Sequence, residues 1–318
     1  MITFLKWISA LGLAAFLSAC GGGSTTHATL ADVAKNNGFT ALLAAADKAG
    51  LSATLGSANA NLTVFAPTDA AFTTLSTQLG FANPTAMVTA LSADALKNIL
   101  SYHIVSGTKS AADLKAGGAS QTTLYSFGGK STTLALNTSS GVAITDAVLA
   151  TAKVSSADVA ASNGVIHAVD KVLVPPGVLN VVQMAQANPA VFSSLVGAVV
   201  KTNLAGTLSD PGPFTVFAPT NTAFASAPAN LSDAQLKSVL LYHVLSSQVL
   251  SSGIPFGTAV NTLNTTNLNN ATVPAQTITI NNNLTITDKQ NSAAKITATD
   301  VRGSNGVIHV IDKVLIPN

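Results

Sequence analysis

Charge is scarce in this sequence. Only 9% of its 318 residues are charged, against about 25% in ordinary soluble domains. The 15 basic and 13 acidic residues leave a net charge of +2, and Arg302 is the only arginine. Arginine is the usual source of bidentate contacts to phosphates and base edges. No basic run interleaves with aromatics, so the sequence argues against nucleic acid as a partner. It argues equally against an enzyme that steers a highly charged substrate by its overall field. Cysteine is nearly absent: Cys20 stands alone. Without an intrachain disulfide, stability has to come from packing. Long apolar runs are missing outside the N-terminus, where a bilayer span would need about 20 residues. The mean hydropathy of +0.44 is therefore an effect of alanine. Motifs of chemistry are missing too. There is no G-x-S-x-G elbow, no P-loop and no G-x-G-x-x-G. What remains is plentiful: 47% of residues are hydrophobic, enough for a packed core and too many for disorder. At roughly 150 residues per domain, the length suggests two domains.

Residues 1–19 read as a secretory signal, with Lys6 as the positive region and Trp7–Leu17 as a short apolar run. The segment ends Leu17-Ser18-Ala19-Cys20, which resembles the bacterial lipobox. Lipidation would consume the one thiol, and a leftover cysteine in a secreted chain calls for such an explanation. Cys20 is thus the candidate lipid attachment site. Residues 20–27 form a Gly-rich tether. The expected localisation is export across the inner membrane and anchoring by lipid, at the outer membrane, the periplasmic face or the cell surface.

Three sequence blocks occur twice, in the same order. Thr63–Phe72 reads TVFAPTDAAF, and Thr215–Phe224 reads TVFAPTNTAF. Leu91–His103 reads LSADALKNILSYH, and Leu231–His243 reads LSDAQLKSVLLYH. Ser162–Pro175 reads SNGVIHAVDKVLVP, and Ser304–Pro317 reads SNGVIHVIDKVLIP. The offsets are 217 − 65 = 152, 231 − 91 = 140 and 304 − 162 = 142. The first copy therefore holds twelve extra residues between its first two blocks, read as a loop near Leu75–Thr89. The second holds two extra between its last two, around Asn261–Thr272. A repeat this long marks two domains, placed at 28–175 and 176–318, with Pro175-Pro176-Gly177 as a short, stiff junction that packs them together.

Each block has a physical reading. Thr63–Ala66 is a buried strand that Pro67 ends, and Thr68 and Asp69 are N-cap residues for a helix that buries Phe72. Ser232 and Gln235 make a capping box. Leu236, Val239, Leu240 and His243 follow at i, i+3, i+4 and i+7, as do Leu96, Ile99, Leu100 and His103. Both histidines therefore face the core. Asn163-Gly164 and Asn305-Gly306 are turn signals. The runs Val165–Val174 and Val307–Ile316 are apolar on both faces and read as central strands. Thr132–Leu136, Val142–Thr145, Thr277–Ile280 and Leu284–Thr287 read as strands, and Thr40–Ala49 and Phe192–Thr202 as helices.

Together the TVFAPT-x-x-AF block, the Tyr-His pair and SNGVIH-x-x-DKVL-x-P resemble the fasciclin domain, twice over and across nearly the whole mature chain. The resemblance implies an α+β fold of tandem domains, each a wedge-like β-sandwich with several short packed helices. It implies a secreted or surface-anchored protein of cell adhesion, with no characteristic catalytic activity. In animal members adhesion has been linked to two regions. Carried over, they are Tyr102-His103 and Tyr242-His243, and the acidic–aliphatic pairs Asp158-Val159 and Asp300-Val301. The animal form of the second motif is longer, and only the pair is present here.

The histidines invite a metal reading, His103 with His243 and His167 with His309, beside Asp170 and Asp312. Their spacing is not diagnostic of a metal site, and the expectation is neutral, hydrogen-bonded core histidines, with no metal and no cofactor. Six Asn-x-Ser/Thr sequons, Asn61, Asn230 and Asn264 among them, reflect an Asn/Thr-rich composition. Three functions stay open. The first is a non-enzymatic adhesion or interaction module, whose partner is an envelope or surface protein or polysaccharide. The second is a membrane-tethered solute or glycan binder, and the third an uncharacterised hydrolase.

Overall fold

A computed structural model describes residues 28–139, 141–228 and 230–318. The signal segment 1–19, Cys20 and the tether 20–27 lie outside the described residues. The fold is mixed α+β and repeats once.

The first unit opens with three short helices, α1 (Leu30–Asn36), α2 (Thr40–Lys48) and α3 (Ser52–Gly56). Strand β1 (Leu62–Pro67) is buried at every position. Helices α4 (Asp69–Gln78), α5 (Pro84–Ala90) and α6 (Ala93–Tyr102) follow. Then come β2 (Ile104–Ser106), α7 (Ala111–Ala116), β3 (Ser120–Phe127), β4 (Lys130–Asn137), β5 (Ala143–Thr145), β6 (Thr151–Ala161) and β7 (Gly164–Val169). The seven strands run in chain order round a closed barrel, shut by parallel pairing of β1 with β7.

The second unit repeats this with α8 (Val181–Gln186), α9 (Pro189–Lys201), α10 (Ala205–Ser209), β8 (Phe214–Pro219), α11 (Asn221–Ala225) and α12 (Asp233–Tyr242). Strands β9 (Val244–Leu245), β10 (Ala259–Asn261), β11 (Thr277–Ile280), β12 (Thr285–Thr287), β13 (Ala293–Arg302) and β14 (Gly306–Ile311) complete it. Here β9 and β10 do not pair, so the sheet stays open.

Two expectations need correction. The runs expected as strands to Val174 and Ile316 stop at Val169 and Ile311. Beyond those points the backbone donates to side chains instead of a neighbouring strand. Leu173 N–H goes to His103 Nε2 (2.8 Å) and Val174 N–H to Asp146 Oδ2 (2.9 Å). Leu315 and Ile316 do the same with His243 and Asp288. The twelve-residue excess near Leu75–Thr89, expected as a loop, is helical. Asn83 caps α5, Pro84 sits in its first turn, and Met87 and Val88 bury against the core. Lys48 Nζ then donates to the carbonyls of Val88 and Thr89 at the end of α5. The second unit has no such helix, and the equivalent Lys201 pairs instead with Asp233 at 2.9 Å.

One apolar cluster runs through both units, from Leu30 to Val310. At the seam, Asn188 Nδ2 donates to the Val148 carbonyl and Gly177 N–H to that of Arg302, each at 2.9 Å. Gly177 has φ +77°, and a Cβ there would lie 2.0 Å from the Phe127 ring. The seam is built from differences between the repeats. Val148-Leu149-Ala150, which face the second unit, correspond to Gln290-Asn291-Ser292 at the free end (290 − 148 = 142). In the polar copy Gln290 and Asn291 are exposed.

Candidate functional site

The two Tyr-His pairs end α6 and α12, with the histidine at the C-cap. His103 Nε2 accepts the Leu173 N–H, so its proton sits on Nδ1, which donates to the Ile99 carbonyl (2.8 Å). His243 repeats this with Leu315 N–H (2.9 Å) and the Val239 carbonyl (2.7 Å). Burial holds both imidazoles neutral, down to about 4. Tyr242 Oη donates to the Thr277 carbonyl at 2.9 Å, and burial pushes both phenols up. The resemblance offered these four residues as contact residues. In the structure Tyr102, His103, Tyr242 and His243 are at most 2% exposed, with Tyr102 at the inner lining of the cleft between the units. The apolar helix face that carries them has to bury, and their polar atoms are spent inside.

The acidic–aliphatic pairs sit on bulges of β6 and β13, where the register against β7 and β14 shifts. Asp158 and Asp300 take φ of +59° and +61° there. That turn points each carboxylate at a nearby chain start. Asp158 Oδ1 accepts Ala111 N–H at the head of α7 (2.8 Å), and Asp300 Oδ1 accepts Ser251 N–H (2.9 Å). A histidine holds each bulge from behind. His167 Nδ1 accepts Asp158 N–H and its Nε2–H donates to the Lys109 carbonyl (2.9 Å). His309 bridges Asp300 N–H and the Val249 carbonyl in the same way. All four repeat histidines thus have both ring nitrogens engaged by main chain. Among the described residues no three His, Cys, Asp or Glu side chains gather where they could hold a metal.

The structure separates the two pairs. Asp158 is exposed with Val159 half-buried, on the outer surface of the first unit. Val301 is buried and Asp300 half-buried, and both line a cleft of about 490 Å³ between the units. Its first wall is β4, through Ser131, Thr133 and Ala135, with Phe127 at one end. Its second wall is Thr299–Arg302 of β13, and Pro176 of the junction closes the side. The Arg302 guanidinium lies over the Phe127 ring, 5.8 Å from its centroid. Asp146 forms part of the floor, accepting from Val148, Ala150 and Val174 N–H, and burial lifts its carboxyl to about 7. Of its lining, sequence reasoning named Asp300, Val301 and Tyr102, and missed the β4 wall and Arg302. Arg302 was the available signal, as the one guanidinium in a chain almost without charge.

Two other concavities differ in kind. A cavity of about 30 Å³ in the second unit is lined by Val181, Val196, Val244 and other apolar residues. Leu30, Leu43 and Ile104 hold those three positions in the first unit, while Ala31 and Ala46 stand where the second has Val182 and Val199. An open groove of about 780 Å³ lies between β2 and β3, beside α7. Lys109 spans it to Gln121.

A family model described as the fasciclin domain matches residues 37–175 and 190–317. Protein sll1483 of Synechocystis is 36% identical over 150 residues, 44% of this chain and 74% of that protein. Transforming growth factor-beta-induced protein ig-h3 of Sus scrofa is 34% identical over 173 residues, covering 52% of this chain and 23% of its own. A solved FAS1 domain pair from the insect cell adhesion molecule Fasciclin I aligns with 90% of this chain and 95% of its own, at 19% identity and a TM-score of 0.41. With two matched regions that span the histidine-latched units described above, the chain belongs to the fasciclin domain family.

Proposed function

We propose that this chain is a non-enzymatic interaction module of the cell envelope, tethered by lipid at Cys20 and mediating adhesion through its paired units. The observation that carries the reading is the state of the histidines. A general base or a metal ligand needs a free ring nitrogen, and His103, His167, His243 and His309 have none. The hydrolase alternative loses its most natural base. A small solute engulfed whole needs an enclosed cavity of about 300 Å³ or more, and the apolar cavity falls far short of that. The larger concavities are open clefts that suit part of an extended surface ligand. The shared core supports a partner that meets both units at once.

The test is a deletion strain scored for surface attachment and aggregation, complemented by the wild-type chain and by Cys20→Ala. The deletion should lose attachment and the wild type restore it. Cys20→Ala should leave the membrane fraction and fail to restore it. Wild-type attachment in the deletion strain, with turnover of an envelope substrate by the pure protein, would establish the hydrolase reading instead.

A further inference from the structure

We propose that the cleft between the two units binds an uncharged saccharide, an inference that rests on the interaction-module reading and names its ligand. A cleft of about 490 Å³ at a domain boundary has the size and place of a ligand site. Its walls come from β4, whose Leu134 and Leu136 anchor in the first unit's own core, and β13, whose Val301 joins the core shared by both units.

Its polar groups are unspent. The Arg302 guanidinium makes no ion pair; the one such pair among the described residues is Lys201–Asp233. Its contact is the Phe127 ring, which leaves its N–H donors free. Ser131 and Thr133 stand two residues apart on β4, both exposed, so they share its outward face. Thr299 faces them from β13. Their hydroxyls make no hydrogen bond within the described chain, whereas the neighbouring Thr132 is bonded to Tyr125 and Thr123. Asp300 takes one bond on each carboxylate oxygen, both from Ser251, and keeps lone pairs to accept more.

The chemistry of the occupant follows. Arg302 and Asp300, two residues apart on β13, bring one charge of each sign to the same lining, so the wall carries no net charge to select an ion. Donors and acceptors alternate with apolar surface at Ala135, Ala147 and Leu149. A pyranose has that same alternation of hydroxyls and C–H faces. A peptide would need a deep pocket to seat an anchoring side chain, and the cleft has none.

The experiment titrates the secreted full chain carrying Cys20→Ala with cellohexaose and maltohexaose, and with hexagalacturonate as the acidic probe. Calorimetry is run at low and high salt. Arg302→Ala and Thr133→Val are compared with Thr85→Val, which lies on α5 away from the cleft. Thr133→Val places a strand-favouring residue on an exposed strand position, so the variant folds. Binding of a neutral hexasaccharide, insensitive to salt and weakened about tenfold or more by both cleft variants, is the expected result. Binding that both variants leave intact overturns the site. Binding restricted to the acidic probe and abolished by salt overturns the ligand class. If no saccharide binds while the deletion strain still loses attachment, the cleft inference fails and the interaction-module reading stands. If the strain keeps its attachment, that reading fails on its own.

Discussion

Acid should loosen the second unit at His243. In the unfolded chain this imidazole has its ordinary value of 6.5, and burial lowers it to about 4 in the fold. Between those values the unfolded state holds a proton that the folded state refuses. Stability is therefore full above pH 6.5 and is lost as pH falls toward 4. Two and a half units at about 1.4 kcal/mol each give a loss of about 3 kcal/mol. The structural reason is specific. Nε2 accepts the Leu315 N–H and cannot take a proton without breaking that bond, and Nδ1 already donates to Val239. His309 is lowered as well and adds in the same direction. The first unit is a poorer place to look. Asp146 there is raised to about 7, so its stabilisation is present at low pH and lost as pH rises, opposing His103. The assay is denaturant unfolding of the wild type and His243→Ala across this range. At neutral pH the variant should lose about 1–3 kcal/mol, because Leu315 N–H is left buried and unpaired. The gap should narrow as pH falls, since the variant has no His243 to protonate. Parallel pH curves, or an imidazole titrating near 6.5 by NMR, would refute the reasoning.

Val244→Ile should place a methylene into the small apolar cavity, as Ile104 does in the first unit, and stabilise by about 1 kcal/mol, read as a raised thermal midpoint. An unchanged or lowered midpoint would mean that the void is already closed by relaxation. Gly177→Ala should force a Cβ into the Phe127 ring and part the two units, seen as new protease cleavage at the Pro175–Gly177 junction and a larger radius of gyration by small-angle scattering. A variant as compact and resistant as the wild type would show that the seam does not depend on this contact.

The sequence by itself determined the duplication, the family and the burial of the Tyr-His pairs. These are short-range facts. Leu236, Val239, Leu240 and His243 share a face because a helix repeats every 3.6 residues, and a face that apolar goes inward. Ser232 and Gln235 cap the helix through bonds three residues apart. The sequence also carried the seam, since Val148-Leu149-Ala150 face a partner and Gln290-Asn291-Ser292 do not, but that difference has meaning only once the two units are seen in contact. Tertiary structure alone decided where the long-range polar bonds go. Asn163 reads as a turn residue, yet its side chain ties the Leu30 N–H to the carbonyls of Leu55 and Ser57, more than a hundred residues away in sequence. Asp69 reads as the cap of its own helix, yet Thr68 caps that helix, and Asp69 accepts Ala41 N–H at the start of α2. Strand ends at Val169 and Ile311 were hidden for the same reason, because the groups that capture the following N–H bonds lie on distant elements. The cleft was legible only at Tyr102 and at Asp300-Val301. Ser131, Thr133, Thr299 and Arg302 carry no motif, and they meet because packing of the Pro175–Gly177 junction brings β4 opposite β13.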